Sequence, residues 1–273
     1  TIYRGGNMKK YISFFRLRFV MGLSYRAAAW AGIATQFVWG GMEIAMFRAF
    51  YGAEPEHFPM TMDGAVSYVW LQQAFLALFA AWMLEGEVFE SIKDGNIAYE
   101  ICRPMGLYPM LFVRAMAMRV SRAALRCGPV LLFAVLLPGP YGLKAPGEGQ
   151  LGLFLAAMAL GVLVTVAFGT LIYGITFYTI SPEGLRLLVT SAMDFFNGAI
   201  IPLPFFPDEM RRVMEILPFA AMQNVPLRVY SGDLQGEAAL RAVALQVLWL
   251  AVLVALGRAV MAGAERKLAV QGG

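Results

Sequence analysis

Residues 151–178 have the sequence LGLFLAAMALGVLVTVAFGTLIYGITFY, 28 residues without one charged side chain. A helix needs about 20 mostly apolar residues to cross the hydrocarbon core of a bilayer. The whole chain is 59% hydrophobic and only 15% charged, whereas about 25% charge is usual in a soluble domain. The sequence therefore predicts an all-α membrane protein.

Five further stretches resemble this one in length and apolar character. Together they predict six transmembrane helices at residues 27–50, 66–84, 108–137, 151–178, 185–201 and 238–261. Lys and Arg are concentrated before the first span, between the second and third, and after the sixth. Because positive residues mark cytoplasmic loops, we expect both termini on the cytoplasmic side of a bacterial inner membrane.

The N-terminal region divides into two parts. Residues 1–7 are interpreted as leader residues ahead of Met8, and residues 8–273 as a single transmembrane domain. Ile12, Phe15 and Phe19 recur at helical spacing, with basic residues on another face. This pattern predicts a helix lying in the membrane interface. The alternative is a plain cytosolic segment leading into the first span.

The loop at residues 85–104, between spans two and three, is rich in charge and interrupted by Gly95 and Pro104. Its residues Phe89, Ile92 and Ile97 also give it an apolar side. Two interpretations stay open from composition. The loop is a solvated turn, or it is a segment that docks into a groove on a soluble partner.

The stretch at residues 202–230 combines apolar residues with several prolines. Pro202, Pro204 and Pro207 prevent a regular helix, and Pro218 begins a return segment. Non-helical backbone at membrane depth is tolerated only where protein or a cavity surrounds it. We therefore predict a re-entrant outer hairpin between spans five and six. An ordinary external loop is the alternative.

Span three carries a basic stripe formed by Arg114, Arg119, Arg122 and Arg126. Long basic side chains can extend to lipid headgroups. They can also pair with acidic residues, and the adjoining loop contains Glu85, Glu87 and Glu90. The sequence favours the lipid headgroups.

Four motifs carry a family resemblance. The first is Ile-x-x-Gly-x-Ile at residues 92–97, followed by Arg103-Pro104. The others are GAIIPLPFFP at 198–207, ILPF at 216–219 and PLRVYSG at 226–232. In this order among six spans, the motifs resemble the ABC type-2 exporter permeases, and most closely a branch that pairs two related permeases with a separate ATPase. The resemblance covers nearly the whole chain from Met8.

The resemblance implies a function for each of these regions. The loop after span two would be the coupling helix seated on the ATPase, with these residues in contact: Glu87, Phe89, Glu90, Ile92, Asp94, Gly95, Ile97, Glu100 and Arg103. Residues 202–230 would match the family's outer hairpin. Spans one, two and five would border the translocation path, which makes their polar residues candidates: Gln36, Glu43, Gln72, Gln73, Asp194 and Asn197.

The resemblance also implies partners. A working unit would contain two ATPase subunits, which hold ATP and Mg, and a second permease protomer that is the same or a related chain. Membrane lipid surrounds the assembly, and no nucleic acid is expected, because the basic residues cluster at the ends of apolar runs. The acidic residues within the spans would suit an amphipathic or cationic small molecule as the substrate.

Sequence motifs for catalysis are absent. The chain has no G-x-x-x-x-G-K-[ST], no H-E-x-x-H and no G-x-S-x-G, and it contains one histidine and two cysteines. We therefore predict a permease subunit that is not an enzyme, with no catalytic, cofactor or metal residue. The alternatives are an ion-coupled secondary transporter using Glu43 and Asp194, a membrane-embedded enzyme, and a non-transporting scaffold.

Overall fold

A computed structural model describes residues 7–24, 26–53, 58–147, 149–179 and 181–271. These residues form eleven α-helices and no strand. The helices are α1 (Asn7–Leu23), α2 (Arg26–Ala53), α3 (Met62–Phe79), α4 (Gly86–Lys93), α5 (Ala98–Ile101), α6 (Leu107–Leu136), α7 (Gln150–Thr176), α8 (Pro182–Phe196), α9 (Asp208–Ile216), α10 (Asn224–Tyr230) and α11 (Gly236–Gln271). Short 3₁₀ turns lie at Ala81–Met83, Gly139–Tyr141 and Leu203–Phe205. The predicted all-helical class is confirmed.

A helix lies at each of the six predicted span positions. Among the described residues, three segments are long and apolar enough to cross a membrane: Met62–Lys93, Gln150–Thr176 and Gly236–Arg266. Helices α2 and α6 have the length but carry charged side chains, and α8 has only 15 residues. The chain is therefore a helical membrane protein, and the count of six spans stays a prediction.

Helix α3 lies at the centre and packs against α2, α6, α7 and α10. It is apolar on nearly all sides, which is the pattern of a fully buried helix, and Tyr68, Trp70 and Leu71 are each at most 2% exposed. Thr61 caps its first turn by accepting a hydrogen bond from the Gly64 amide at 3.1 Å. In this central position, α3 contacts helices from both the N-terminal and the C-terminal halves of the chain.

Helices α7 and α11 form the most extensive helix pair, and α7 also approaches α10 closely. A Cβ atom added at Gly161 would lie 2.2 Å from the Met222 carbonyl oxygen, and one at Gly174 would lie 3.1 Å from Val260. Glycine is therefore needed at Gly161 for this approach. Near Val260 on α11, Glu265 accepts a hydrogen bond from the Leu107 amide at 3.1 Å and so caps α6.

Helix α1 packs lengthwise along the first half of α6. The Lys10 ammonium donates to the Pro104 carbonyl oxygen at 2.6 Å, and a Cβ atom at Gly22 would lie 2.0 Å from Ser121 Oγ. The two helices therefore run side by side in the same direction. The outer face of α1 exposes Ile12 and Val20. Its location in the membrane interface stays a prediction.

Candidate coupling segment and buried polar cluster

The coupling segment, residues 85–104, folds into the two short helices α4 and α5. Gly95 separates them with a positive φ of 75°, a backbone conformation that favours glycine. The Gly95 amide donates to the Ile92 carbonyl at 3.3 Å, and the Ile97 amide donates to the Ser91 carbonyl at 2.9 Å. The sequence Asp94-Gly95 therefore ends α4 with a tight reversal.

The apolar side of the coupling segment faces the protein's own core. Phe89 and Ile97 are 5% and 2% exposed, and the Phe89 ring packs edge-on against Tyr173 with centroids 5.2 Å apart. Ile92 is half-buried against the same core. The prediction that the side chain inserts into a partner is wrong for Phe89 and Ile97, because the groove that receives them belongs to this chain. For the half-buried Ile92 it stays a prediction. A short amphipathic helix reveals that it has an apolar face, but not which groove covers it.

Polar contacts hold the coupling segment against α6, α7 and α8. The Arg114 guanidinium donates to Glu85 at 2.8 and 2.9 Å and to Glu87 at 3.0 Å. The Glu85 amide donates to the Tyr173 hydroxyl at 2.7 Å. These bonds therefore join the start of α4 to both α6 and α7.

An exposed ion pair adds a contact between α4 and α8. The Lys93 ammonium donates to Glu183 Oε1 at 2.7 Å, and this hydrogen bond lowers the pKa of the Glu183 carboxyl below its usual range. Both side chains are more than half exposed. Surface pairs of this kind contribute little to stability, so this contact is weaker than that of Arg114.

The outer surface of the coupling segment is charged, with an aromatic residue among the charges. The predicted coupling residues that it exposes are Glu87, Glu90, Asp94, Gly95 and Arg103, while Glu100 is half-buried and pairs with Arg103. Tyr99 is 77% exposed and Ile101 is 37% exposed. These two were missed from the sequence, although an aromatic residue within a charged loop is a signal for a contact surface.

The arginines of the basic stripe on α6 contact different partners. Arg119 is 2% exposed and donates to the Leu78 and Ala80 carbonyl oxygens at 2.9 and 3.1 Å, at the end of α3. The prediction that the stripe reaches lipid is therefore wrong for Arg119. It is also wrong for Arg114, which takes the acidic partners Glu85 and Glu87. Arg122 and Arg126 lie further along α6.

The six candidates for the translocation path fall into separate groups. Gln72 donates to the Ala199 carbonyl at 2.8 Å, and Asn197 accepts from the Ala199 amide at 2.8 Å. These contacts bring two of the six together where α8 ends. Glu43 lies beside the buried Gln73.

The remaining two candidates lie apart. Asp194 lies near the Ala81 backbone, where α8 packs against the turn after α3. Gln36 is 2% exposed on α2, and among the described residues neither of its amide atoms has a hydrogen-bond partner. Burying an unpaired amide is costly, and the described residues show no group that offsets this cost for Gln36.

A buried polar cluster underlies the predicted outer hairpin. The Tyr68 hydroxyl lies 3.2 Å from the Gly198 carbonyl and 3.4 Å from Asn224 Oδ1. Arg228 is 8% exposed and forms ion pairs with Glu215 and Asp233. Tyr68 lies far along the chain from Gly198 and Asn224, so no local pattern predicts their contact. Arg228 is only five residues from Asp233, but this pairing was not predicted.

The predicted prolines coincide with breaks in the helices. Pro202 and Pro204 are buried beside the 3₁₀ turn at Leu203–Phe205, Pro207 immediately precedes α9, and Pro218 follows it. The break from helix thus occurs where the sequence placed it. The insertion of this segment into the membrane stays a prediction.

Metal ligands do not cluster in the described part of the chain. No group of three or more His, Cys, Asp or Glu side chains there could hold a metal ion. Cys102 and Cys127 are free thiols, and His57 lies outside the described residues.

These features define a helical membrane protein, with a buried central helix and a charged two-helix segment at one end. A family model described as "ABC-2 family transporter protein" matches residues 60–272, which is more than half of the 273-residue chain. The chain therefore belongs to the ABC-2 transporter family. This family supplies transmembrane components without an ATP site of their own, which generally work with an ATPase subunit. No curated protein and no solved structure matches the chain.

Proposed function

We propose that this chain is the transmembrane subunit of an ATP-driven exporter, and that the coupling segment transmits the state of a separate ATPase to the membrane helices. The observation that carries the proposal is the two-sided construction of this segment. Its inner side is bound to the core through Phe89 and Tyr173, and its outer side presents Tyr99 among charged residues. A loop that only connects two spans would not require these contacts with the core.

The contacts of α4 give a route for transmission. A push on α4 acts on α6 through Arg114 and on α7 through the Glu85 amide and Tyr173. Because Arg119 bonds α6 to the end of α3, α3 receives the same displacement. The polar residues Gln72 and Gln73 lie on α3, so the ATPase would act on the helix that carries part of the proposed path.

The proposed topology has six spans with both termini in the cytoplasm of a bacterial inner membrane, and the re-entrant hairpin on the outer face. The helix positions and the distribution of Lys and Arg support it. Residues 52–64 would then be external. Cysteine labelling at Glu56, which lies outside the described residues, should occur from outside intact cells, whereas labelling at Lys93 instead would invert the topology.

The proposed assembly contains two permease protomers and two ATPase subunits, with ATP and Mg held by the ATPases. The exposed face of α8, which includes Leu187 and Leu188 at 70% and 69% exposure, supports a second permease protomer. The half-buried carboxylates Glu43 and Asp194 would favour an amphipathic or cationic substrate. Gln36, whose amide is unpaired, is a further candidate contact.

Purification from native membranes in mild detergent, with mass analysis of the subunits, tests this proposal. An ATPase subunit should co-purify, and vesicles containing the complex should transport only when ATP is supplied. Transport by the isolated chain on an ion gradient alone would contradict the proposal and support the ion-coupled alternative. Asp194→Asn further separates the ATP-driven exporter from the ion-coupled transporter, because an ion-coupled transporter that uses Asp194 would lose transport driven by the ion gradient.

A further inference from the structure

A cleft between α1 and α6 contains more positive than negative side chains. It has a volume of about 140 Å³, and its charged lining residues are Arg18, Glu85, Glu87, Arg114 and Arg122. Both carboxylates bind Arg114, at 2.8 and 3.0 Å. Arg18 and Arg122 form no ion pair with either carboxylate, although Glu85 Oε1 has no hydrogen-bond partner among the described residues.

The remaining contacts of these two arginines are weak. Arg18 lies over the Phe14 ring at 5.3 Å, and Arg122 contacts the Met83 sulfur at 3.1 Å. Neither side chain forms an ion pair within the described ranges. Burial, followed by the positive charge of Arg114, lowers the pKa of Arg18. Burial thus acts against the charge of Arg18, while the nearby carboxylates of Glu85 and Glu100 favour it.

One turn further along α6, Arg126 supports the same conclusion. Its Nε atom is buried without a hydrogen-bond partner in the described part of the chain, and the hydrogen bond from its Nη2 atom to the Ala28 carbonyl is long at 3.4 Å. A guanidinium withdrawn from water is costly unless an anion compensates it. Phosphate oxygens suit this role, because arginine donates paired N–H groups to them.

The surface beside the cleft is apolar. Met21, which lines the cleft, is 51% exposed, and Leu17 and Val20 on the same helix are 57% and 56% exposed. A free phosphate ion would leave these side chains uncovered, whereas the acyl chains of a lipid would cover them. Basic clefts between membrane helices on the cytoplasmic side are known to bind anionic headgroups.

We propose that this cleft binds the phosphate of an anionic phospholipid through Arg18 and Arg122, with the acyl chains along the exposed face of α1. The lipid would fix α1 against α6 beside the Arg114 contacts of the coupling segment. The assignment to the cytoplasmic leaflet rests on the proposed topology. The binding itself is independent of whether the chain transports anything.

Native mass spectrometry of delipidated full-length protein, titrated with phosphatidylglycerol or phosphatidylcholine, tests the proposal. Wild type should bind the anionic lipid more tightly. The double variant Arg18→Gln/Arg122→Gln should lose about tenfold or more of that affinity, with phosphatidylcholine binding unchanged. The matched control Arg16→Gln/Arg26→Gln removes two exposed arginines from α1 and α2, and should retain the affinity.

Several outcomes would overturn the proposal. If wild type bound the two lipids with equal affinity, the cleft would not be a site for an anionic headgroup. An equal loss in the control variant would show diffuse attraction instead of a cleft. Inorganic phosphate that binds lipid-free protein and displaces the lipid would assign the cleft to a soluble anion. If the Gln variant does not fold, Arg18→Lys/Arg122→Lys keeps the charge but loses paired donation, and unchanged affinity there would contradict the proposed geometry.

Discussion

Helices α3 and α8 both carry candidate path residues, yet the two helices differ strongly in how many of their residues are buried. Fourteen of the 18 residues of α3 are buried, whereas only three of the 15 residues of α8 are. Contacts within one protomer therefore bury most of the surface of α3. The apolar residues of α8 must be covered by lipid or by a second protomer. The difference separates residues that hold one chain together from residues available to a partner.

Substitution of a large side chain on each helix should give the largest contrast. Trp70 is 2% exposed and donates to the Tyr141 carbonyl at 2.7 Å, so Trp70→Ala should cost about 3–5 kcal/mol of unfolding free energy. Leu188→Ala, at an exposed position, should change it by about 0.5 kcal/mol or less. Reversible unfolding in mixed micelles measures both. Equal losses would show that α8 is as buried as α3.

The end of α3 offers a second contrast. Arg119→Met leaves the Leu78 and Ala80 carbonyls without their donor, and should cost about 2–3 kcal/mol, as expected for a charged hydrogen bond. Arg241→Met removes an exposed charge that pairs with Glu237 on the same helix. It should cost less than about 0.5 kcal/mol. A similar cost for both, in the same unfolding assay, would contradict the role of Arg119.

The exposed face of α8 should matter for assembly instead of folding. Leu187→Asn/Leu188→Asn adds polar groups outside the protomer core, and should lower the fraction of paired permeases with little change in protomer stability. Mass photometry at matched detergent concentration measures this fraction. A matched change on α11, Val247→Asn/Leu248→Asn, also falls on exposed residues. Equal loss of pairing there would mean that α8 is not the specific contact.

The pH dependence of the α4–α8 ion pair should be the smallest effect. The pKa of Glu183 is lowered in the folded protein by its hydrogen bond from Lys93. The pair therefore stabilises the fold above the unfolded carboxyl pKa of about 4.5, and this contribution is lost as the pH falls. Glu183→Gln should slightly reduce the difference in thermal midpoint between pH 7 and pH 4. A larger difference in the variant would reverse the expected sign.

Sequence reasoning located the elements better than it located their surroundings. Helix positions follow from local apolar runs and from breakers such as Pro202 and Gly95, which act within a few residues. The burial of Phe89 and Arg119 depends on helices far away in the chain. Periodicity shows that such residues share a face, but not what covers it, and so the coupling segment was predicted with its apolar side outward.

The same limit applies to polar residues. Gln72 and Asn197 were both candidates because polar groups within spans are rare, but their meeting at Ala199 required the fold. The cluster around Arg228 gave no sequence signal, since Glu215 and Asp233 belong to different elements of the hairpin region.

The central claim is that the outer side of the coupling segment contacts an ATPase. A photoreactive amino acid at Tyr99, with a control at Leu188, tests it most directly, because both positions are exposed. After illumination of native membranes, position 99 should cross-link to a polypeptide that contains a phosphate-binding G-x-x-x-x-G-K-[ST] motif, and position 188 should not. An ATPase that co-purifies yet cross-links only from position 188, or from neither, would contradict the account.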